Sequence, residues 1–221
     1  RAKEMIKNLD SSNYTKKPHI KVEHGFEQDT PIASIDKRDS IYRKMLGLLP
    51  LSSKHVSNLT DRGLSQKAIK ALNIKSTPGK INYEIPSALI STGCNLSGIP
   101  GFFIHNGKWA MFCYTQGHFI PFIQDGKIFG LQIRSDTNPK KRYIWFSSTG
   151  LNHGTKMKGD IHEISFYPGM DKVCLTEGAL KADVASFIYY KLTGKTIAFI
   201  ALPGVNNQKA SMDVYPSMNA I

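Results

Sequence analysis

Three cysteines in 221 residues are too few and too scattered to staple a fold. Cys94, Cys113 and Cys174 are odd in number, lie in apolar surroundings and form no CxxC pair, which argues against a structural zinc site and for reduced, buried thiols in a cytoplasmic protein. No apolar run approaches the roughly 18 residues needed to cross a bilayer. No signal peptide, internal repeat or low-complexity tract is visible either. Acidic residues are scarce: 17 Asp and Glu face 29 Lys and Arg, for a formal net charge of +12. Such an excess favours a polyanion such as nucleic acid, or an anionic membrane surface. The 41% hydrophobic content is ordinary, and the length suffices for a core and one or two domains. The chain begins at Arg1 rather than Met, as a fragment of something longer would.

Residues 1–38 are polar and basic, with Pro18 and Pro31, and read as an arm or linker. "RDSIYRKMLGLLPLS" places Ile41, Met45, Leu46 and Leu49 at helical spacing, with Pro50 as a stop. "SSKHVSNLTDRGLSQKAIKALNI" reads as two short helices broken at Gly63, the second capped by Ser65, with Ile69 and Leu72 on its apolar face. From about 81 to 147 the text turns to β. "GKWAMFCY", "HFIPFIQ", "KIFGLQIR" and "RYIWFS" are strand-like, and Asp125-Gly126 is a hairpin signal between two of them. "SDTNPKK" is a basic connector and "GLNHGTKMKGD" a glycine-rich loop.

The alternation then changes: a strand at 172–176, a helix at 179–192, Gly194 as its stop and a strand at 196–202 running into "PGVNNQ". That spacing is a βαβ unit with parallel strands. On its helix, Ala182, Val184, Ala185 and Ile188 are expected to share the buried face. Ligands of parallel sheets bind at the carboxyl ends of the strands. Glu177 leaves the first strand at that edge, and Gly178 keeps the adjoining space open. An exposed carboxylate there suits Mg²⁺, which takes oxygen ligands and keeps several waters, or a general base acting on a nucleotide hydroxyl. A Glu beginning a helix is also stabilising with no chemistry at all, by complementing the helix dipole.

"LTEGALKADVAS" resembles the first motif of the Toprim domain, shared by bacterial-type primases, topoisomerases and related nucleases. Its Glu-Gly-x-x-Lys-Ala-Asp form is similar to a variant in primase-like replication proteins of plasmids, phages and integrative elements. "GHFIPFIQDGKIFGLQIR", "KKRYIWFSSTG" and "LLPLSSKHVSNLTDRGLSQKAIKAL" resemble successive parts of the primase core, so the likeness runs in order over about residues 40–207. It implies an α/β protein: a basic arm at 1–38, a helical and mixed-β primase-core-like subdomain at 39–165, and a partial Toprim-like domain at 166–221. It further implies a DNA-replication protein of a mobile element that performs metal-dependent nucleotidyl transfer on single-stranded DNA, with nucleoside triphosphates as substrates and a replicative helicase as a further partner. Glu177 would be catalytic and a Mg²⁺ (or Mn²⁺) ligand. Two departures bear on that. Lys181 stands where the bacterial motif has an Asp, Asp183 coming later, and no Asp-x-Asp pair follows residue 207, so the metal site is expected to be incomplete here. The alternatives are a non-catalytic single-stranded nucleic-acid-binding module or a Toprim nuclease.

Basic residues crowd 105–160, with Tyr143, Trp145 and Phe146 among them. Phosphates attract such charges and bases stack on aromatic faces. By alternation, one of Trp145 and Phe146 belongs to the core. The candidate nucleic-acid or nucleotide contacts are Arg134, Lys140, Lys141, Arg142, Tyr143, Lys156, Lys158, Lys181 and Asn206, and the primase resemblance implies that Arg134 and Arg142 face the site that holds Glu177. His55, His105, His118, His153 and His162 form no metal-ligand spacing, and only His153, in the glycine-rich loop, stands out.

Overall fold

The computed structural model describes residues 29–164 and 173–202. The chain opens on α1 (Ile35–Gly47), α2 (Ser53–Asp61) and α3 (Gln66–Ala71). Each is preceded by a serine whose hydroxyl accepts a backbone N–H three residues on: Ser34 from Lys37, Ser52 from His55 and Ser65 from Ala68. The expected cap at Ser65 and the break at Gly63 are thus present. α1 starts inside the stretch read as an arm, because Ser34 supplies its cap, and it ends at Gly47, before Pro50. Its Ile41, Met45 and Leu46 are buried as the spacing predicts, and Tyr42 joins them with its hydroxyl donating to the Pro100 carbonyl at 3.1 Å.

The central sheet is antiparallel in the order β1 (Lys75–Ser76), β4 (Gly117–Gln124), β5 (Lys127–Ser135), β6 (Tyr143–Trp145). Asp125 and Gly126, at φ 48° and 73°, make the expected tight turn between β4 and β5. β4 is apolar on both faces because both are covered. Phe119 packs with Tyr42, Met45, Leu131, Ile133 and Phe146 in one core, and Ile120 and Phe122 pack with Leu59, Leu64, Ile69 and Phe129 in another. Phe146 is the buried member of the Trp145–Phe146 pair, its ring centroid 5.1 Å from that of Phe119, while Trp145 is half-buried against Phe122. A Cβ on Gly101, whose φ is +90°, would lie 2.2 Å from the Phe146 ring, so only glycine fits there.

Three elements differ from the sequence expectation. A helix, α4 (Glu84–Ser91), interrupts the stretch read as β. The Asn82 side chain accepts the Ile85 N–H at 2.8 Å, and Pro86 falls in the first turn, where its missing N–H costs nothing. β2 (Phe102–His105) pairs with β3 (Lys108–Met111) through Asn106-Gly107, both at positive φ. β7 (His162–Ile164) follows the glycine-rich loop.

β8 (Val173–Glu177), α5 (Ala179–Thr193) and β9 (Ala198–Leu202) form the predicted unit: β8 and β9 are parallel, and Gly194 ends α5 in the left-handed conformation at φ 68°. β7 pairs antiparallel with β9, giving the order β7-β9-β8 and leaving β9 in the middle with every residue buried. The buried face of α5 is the predicted one only in part. Ala179, Leu180, Ala182 and Asp183 are buried, whereas Val184, Ala185 and Ile188 are half-buried. Ala179 and Leu180 enter the core of Ile120 and Phe122, and Val184 and Phe187 pack against its margin.

The docking is also polar. The Ile123 N–H donates to His162 Nδ1 at 2.9 Å, and the Asp125 N–H to Glu163 Oε2 at 3.0 Å. Since Nδ1 accepts, the imidazole proton lies on Nε2, which donates to Asp183 Oδ1 at 3.3 Å. That pair is almost wholly buried and joins β4, β7 and α5. All three cysteines are free. Cys113 is buried as expected, but Cys94, in the loop after α4, and Cys174, on the edge strand β8, are only partly so. Among the described residues no helix is long and apolar enough to cross a membrane.

Candidate nucleotide and nucleic-acid interface

Glu177 is the last residue of β8, and its side chain is 54% exposed. Gly178, at φ 81°, turns the chain into α5 while its N–H donates to the Leu202 carbonyl at 2.8 Å, tying the carboxyl ends of the two parallel strands together. The carboxylate opens on a small pocket of about 70 Å³ lined by Gln132, Tyr143, Gly178, Leu180 and Lys181. Lys181, one turn along α5, places its ammonium 3.2 Å from Glu177 Oε2. The donor suits one ligand of Mg²⁺: a hard oxygen, exposed, with room for waters. It is no more than one. Asp183 is buried against His162 and does not reach the sheet edge, and Lys181 competes for the carboxylate. Among the described residues, therefore, no complete Mg²⁺ site exists around Glu177.

Arg134 and Arg142 do not line the Glu177 pocket. They line the adjoining cleft, of about 610 Å³, together with Lys54, His55, Ser57, Asn58, Asp61 and Asp136. The separation runs along the strand, not between the faces of the sheet. Gln132 and Arg134 sit two residues apart on β5, so they share one face of the sheet, and the Arg134 Cα pairs with that of Tyr143. Gln132 and Tyr143 reach the small pocket, Arg134 and Arg142 the large one. One corner of the sheet, where β5 meets β6, therefore serves both cavities. Tyr143 is exposed there. Lys140 and Lys141 lie on the adjacent β5–β6 loop, which Asn138 shapes by accepting both of their backbone N–H groups. Lys156 and Lys158 are exposed on the glycine-rich loop, away from either cavity lining. Asn206 lies outside the described residues.

Sequence reasoning missed three contributors to the large cleft: Lys54, His55 and Asp136. Lys54 Nζ and His55 Nε2 both bond Asp136 Oδ2 at 2.9 Å. Burial alone would raise the Asp136 pKa, but these two hydrogen bonds outweigh it and hold the carboxyl below its usual range. His118, fully buried on β4, has its ring centroid 5.0 Å from that of His55. His55 and His118 are 63 residues apart, so no spacing rule brings them together. Exposed His153, singled out from the sequence, takes no part, its positive φ of 53° marking a turn.

No protein-family model matches the chain, and no curated protein does. Its fold is that of the catalytic core of bacterial DNA primases. It superposes on the Aquifex aeolicus primase (zinc-binding and RNA polymerase domains) with a TM-score of 0.57 and 14% identity over 86% of this chain and 48% of that one. The RNA polymerase domain of Mycobacterium tuberculosis primase, solved with a double-stranded DNA bearing a 6-nucleotide overhang, gives 0.54 and 13% over 83% and 61%. A DnaG primase catalytic domain bound to single-stranded DNA gives 0.50 and 17% over 85% and 63%. The chain thus spans less than two thirds of the length of these proteins, and identities this low establish the fold alone.

Proposed function

We propose that this chain is the core of a primase-like DNA-replication protein, one belonging to a mobile element, that holds single-stranded DNA in the Arg134–Arg142 cleft beside a nucleotide site at Glu177. The observation that carries the reading is the shared corner of β5 and β6: a basic cleft and an exposed strand-end carboxylate lie next to each other on a primase-type fold. Lys54, Arg134 and Arg142 offer three cations to phosphates, and Tyr143 offers an exposed ring to a base. The unit from β8 to β9 would be the start of a Toprim-like domain whose remaining acidic ligands lie outside the described residues. Glu177 would then be one ligand of Mg²⁺ or Mn²⁺, and the ion would neutralise charge on a nucleoside triphosphate during nucleotidyl transfer. Lys181 would contact a phosphate, freed from Glu177 when the carboxylate turns to the ion. Lys140 and Lys141, on the neighbouring loop, would extend the phosphate track, with Lys156, Lys158 and Asn206 as outlying contacts. A replicative helicase would be the partner that delivers the template.

A second reading is favoured by one observation. Glu177 is neutralised by Lys181 and Asp183 is committed to His162, which leaves the described residues without a second carboxylate at the strand ends. That arrangement suits a non-catalytic DNA-binding module. A primer-synthesis assay on single-stranded template with Mg²⁺, run on the full-length protein, decides between them. Template-dependent product supports the enzyme, and tight DNA binding without product supports the module.

A further inference from the structure

We infer that His55, His118 and Asp136 form a binding site for a divalent transition-metal ion of the zinc class, separate from Glu177. One ligand atom from each of the three residues falls within 4.8 Å of the other two. Ligands held at about 2.0–2.2 Å around a tetrahedral ion lie roughly 3.3 Å apart, so the three need only close up slightly around an ion. Two imidazoles and one carboxylate suit zinc and its neighbours, whereas Mg²⁺ prefers oxygen alone.

An independent observation points to a ligand here. His118 is fully buried, and among the described residues neither of its ring nitrogens has a hydrogen-bond partner. A buried polar group left so costs about 1–3 kcal/mol, and a histidine on a central strand is a poor choice for that place unless something binds it. His55 is already oriented as a ligand. Its Nδ1 lies 2.6 Å from Ser76 Oγ and 3.0 Å from Ser52 Oγ, which fixes the ring and turns Nε2 toward Asp136.

The three ligands come from α2, β4 and the segment after β5, so an ion would clamp these elements at the wall of the basic cleft. Three protein ligands leave the fourth position of a tetrahedral ion for an exchangeable oxygen. Arg134 explains why that oxygen would be well held. Its Nε is buried without an acceptor among the described residues, and it is the cross-strand neighbour of His118. A metal-bound water or hydroxide would supply the acceptor and offset the repulsion between the guanidinium and the cation.

The test is a Co²⁺ titration of the metal-stripped chain, followed by Zn²⁺ displacement. One ion per chain is expected, with visible d–d bands of a four-coordinate site that Zn²⁺ abolishes and millimolar Mg²⁺ does not. Asp136→Asn, which keeps the shape of the side chain, and His118→Ala should each weaken binding at least about 100-fold, and Ser76→Ala about 10–100-fold. A wild-type chain that binds no Co²⁺ or Zn²⁺ would overturn the inference, leaving His118 to a buried water. So would wild-type affinity in Asp136→Asn, which would place the ion elsewhere.

Discussion

Asp183 offers the sharpest test of the structural account, because it lies in the motif that resembles a metal site while its surroundings give it a structural task. It lies in the Glu-Gly-x-x-Lys-Ala-Asp stretch, yet it is 4% exposed and accepts the Nε2–H of His162, itself fixed by the Ile123 N–H. Asp183→Ala leaves that buried N–H without an acceptor, a loss of about 1–3 kcal/mol. The truncated side chain adds little cavity. In a domain of this size 1 kcal/mol moves the melting midpoint by about 2–4 °C, so a loss of about 2 kcal/mol lowers it by about 4–8 °C. Asp183→Asn keeps an oxygen at the Oδ1 position and should cost less than half as much. Thermal unfolding followed by circular dichroism reads both, and single-stranded DNA affinity below the transition should be unchanged in both. An Asp183→Ala midpoint equal to that of the wild type would refute the reasoning. So would an Asp183→Asn loss as large as that of alanine, which would mean that the charge rather than the hydrogen bond holds α5 against β7.

Other expectations follow from the same surfaces. Glu177→Gln, which loses only an exposed pair with Lys181, should change stability by less than about 1 kcal/mol while abolishing Mg²⁺-dependent primer synthesis in the full-length protein; synthesis at the wild-type rate would leave Glu177 as a helix-start residue. Three phosphate contacts in the cleft give a log–log salt slope near −2 for single-stranded DNA, so affinity measured by fluorescence anisotropy should fall about 20-fold between about 50 and 200 mM salt. Arg142→Ala should lower that slope by about 0.7, and Lys44→Ala, on the exposed side of α1, should not; equal effects would mean diffuse attraction without a cleft. Burial pushes the Cys113 thiol up to about 11, so at pH 8 only about 0.1% is thiolate. Iodoacetamide followed by mass spectrometry should label Cys94 and Cys174 well before Cys113, and the rate at Cys113 should rise with pH, since each unit toward 11 multiplies the thiolate tenfold.

Local chemistry decided much of this protein. The capping serine before α3, the Asp125-Gly126 turn, the apolar runs of β4 and β5 and the Glu177-Gly178 strand exit are all written within a few residues, because caps, turns and period-two or period-3.6 patterns are short-range effects. The parallel pairing of β8 and β9 followed from spacing alone. α4 and β7 escaped notice because Pro86 masks a helical start and three residues carry too little pattern to mark a strand. The two cavities could not be read in advance for a different reason. Which of Arg134 and Gln132 meets Glu177 depends on how α5 lies across the sheet, and that is fixed by Ala179, Leu180 and the buried Asp183–His162 hydrogen bond. The meeting of His55, His118 and Asp136 depends on a helix docking beside two neighbouring strands, successive members being 63 and 18 positions apart. Contacts of that range carry no sequence period, because chain connectivity places no constraint on them, and only the folded packing brings the three side chains to one point.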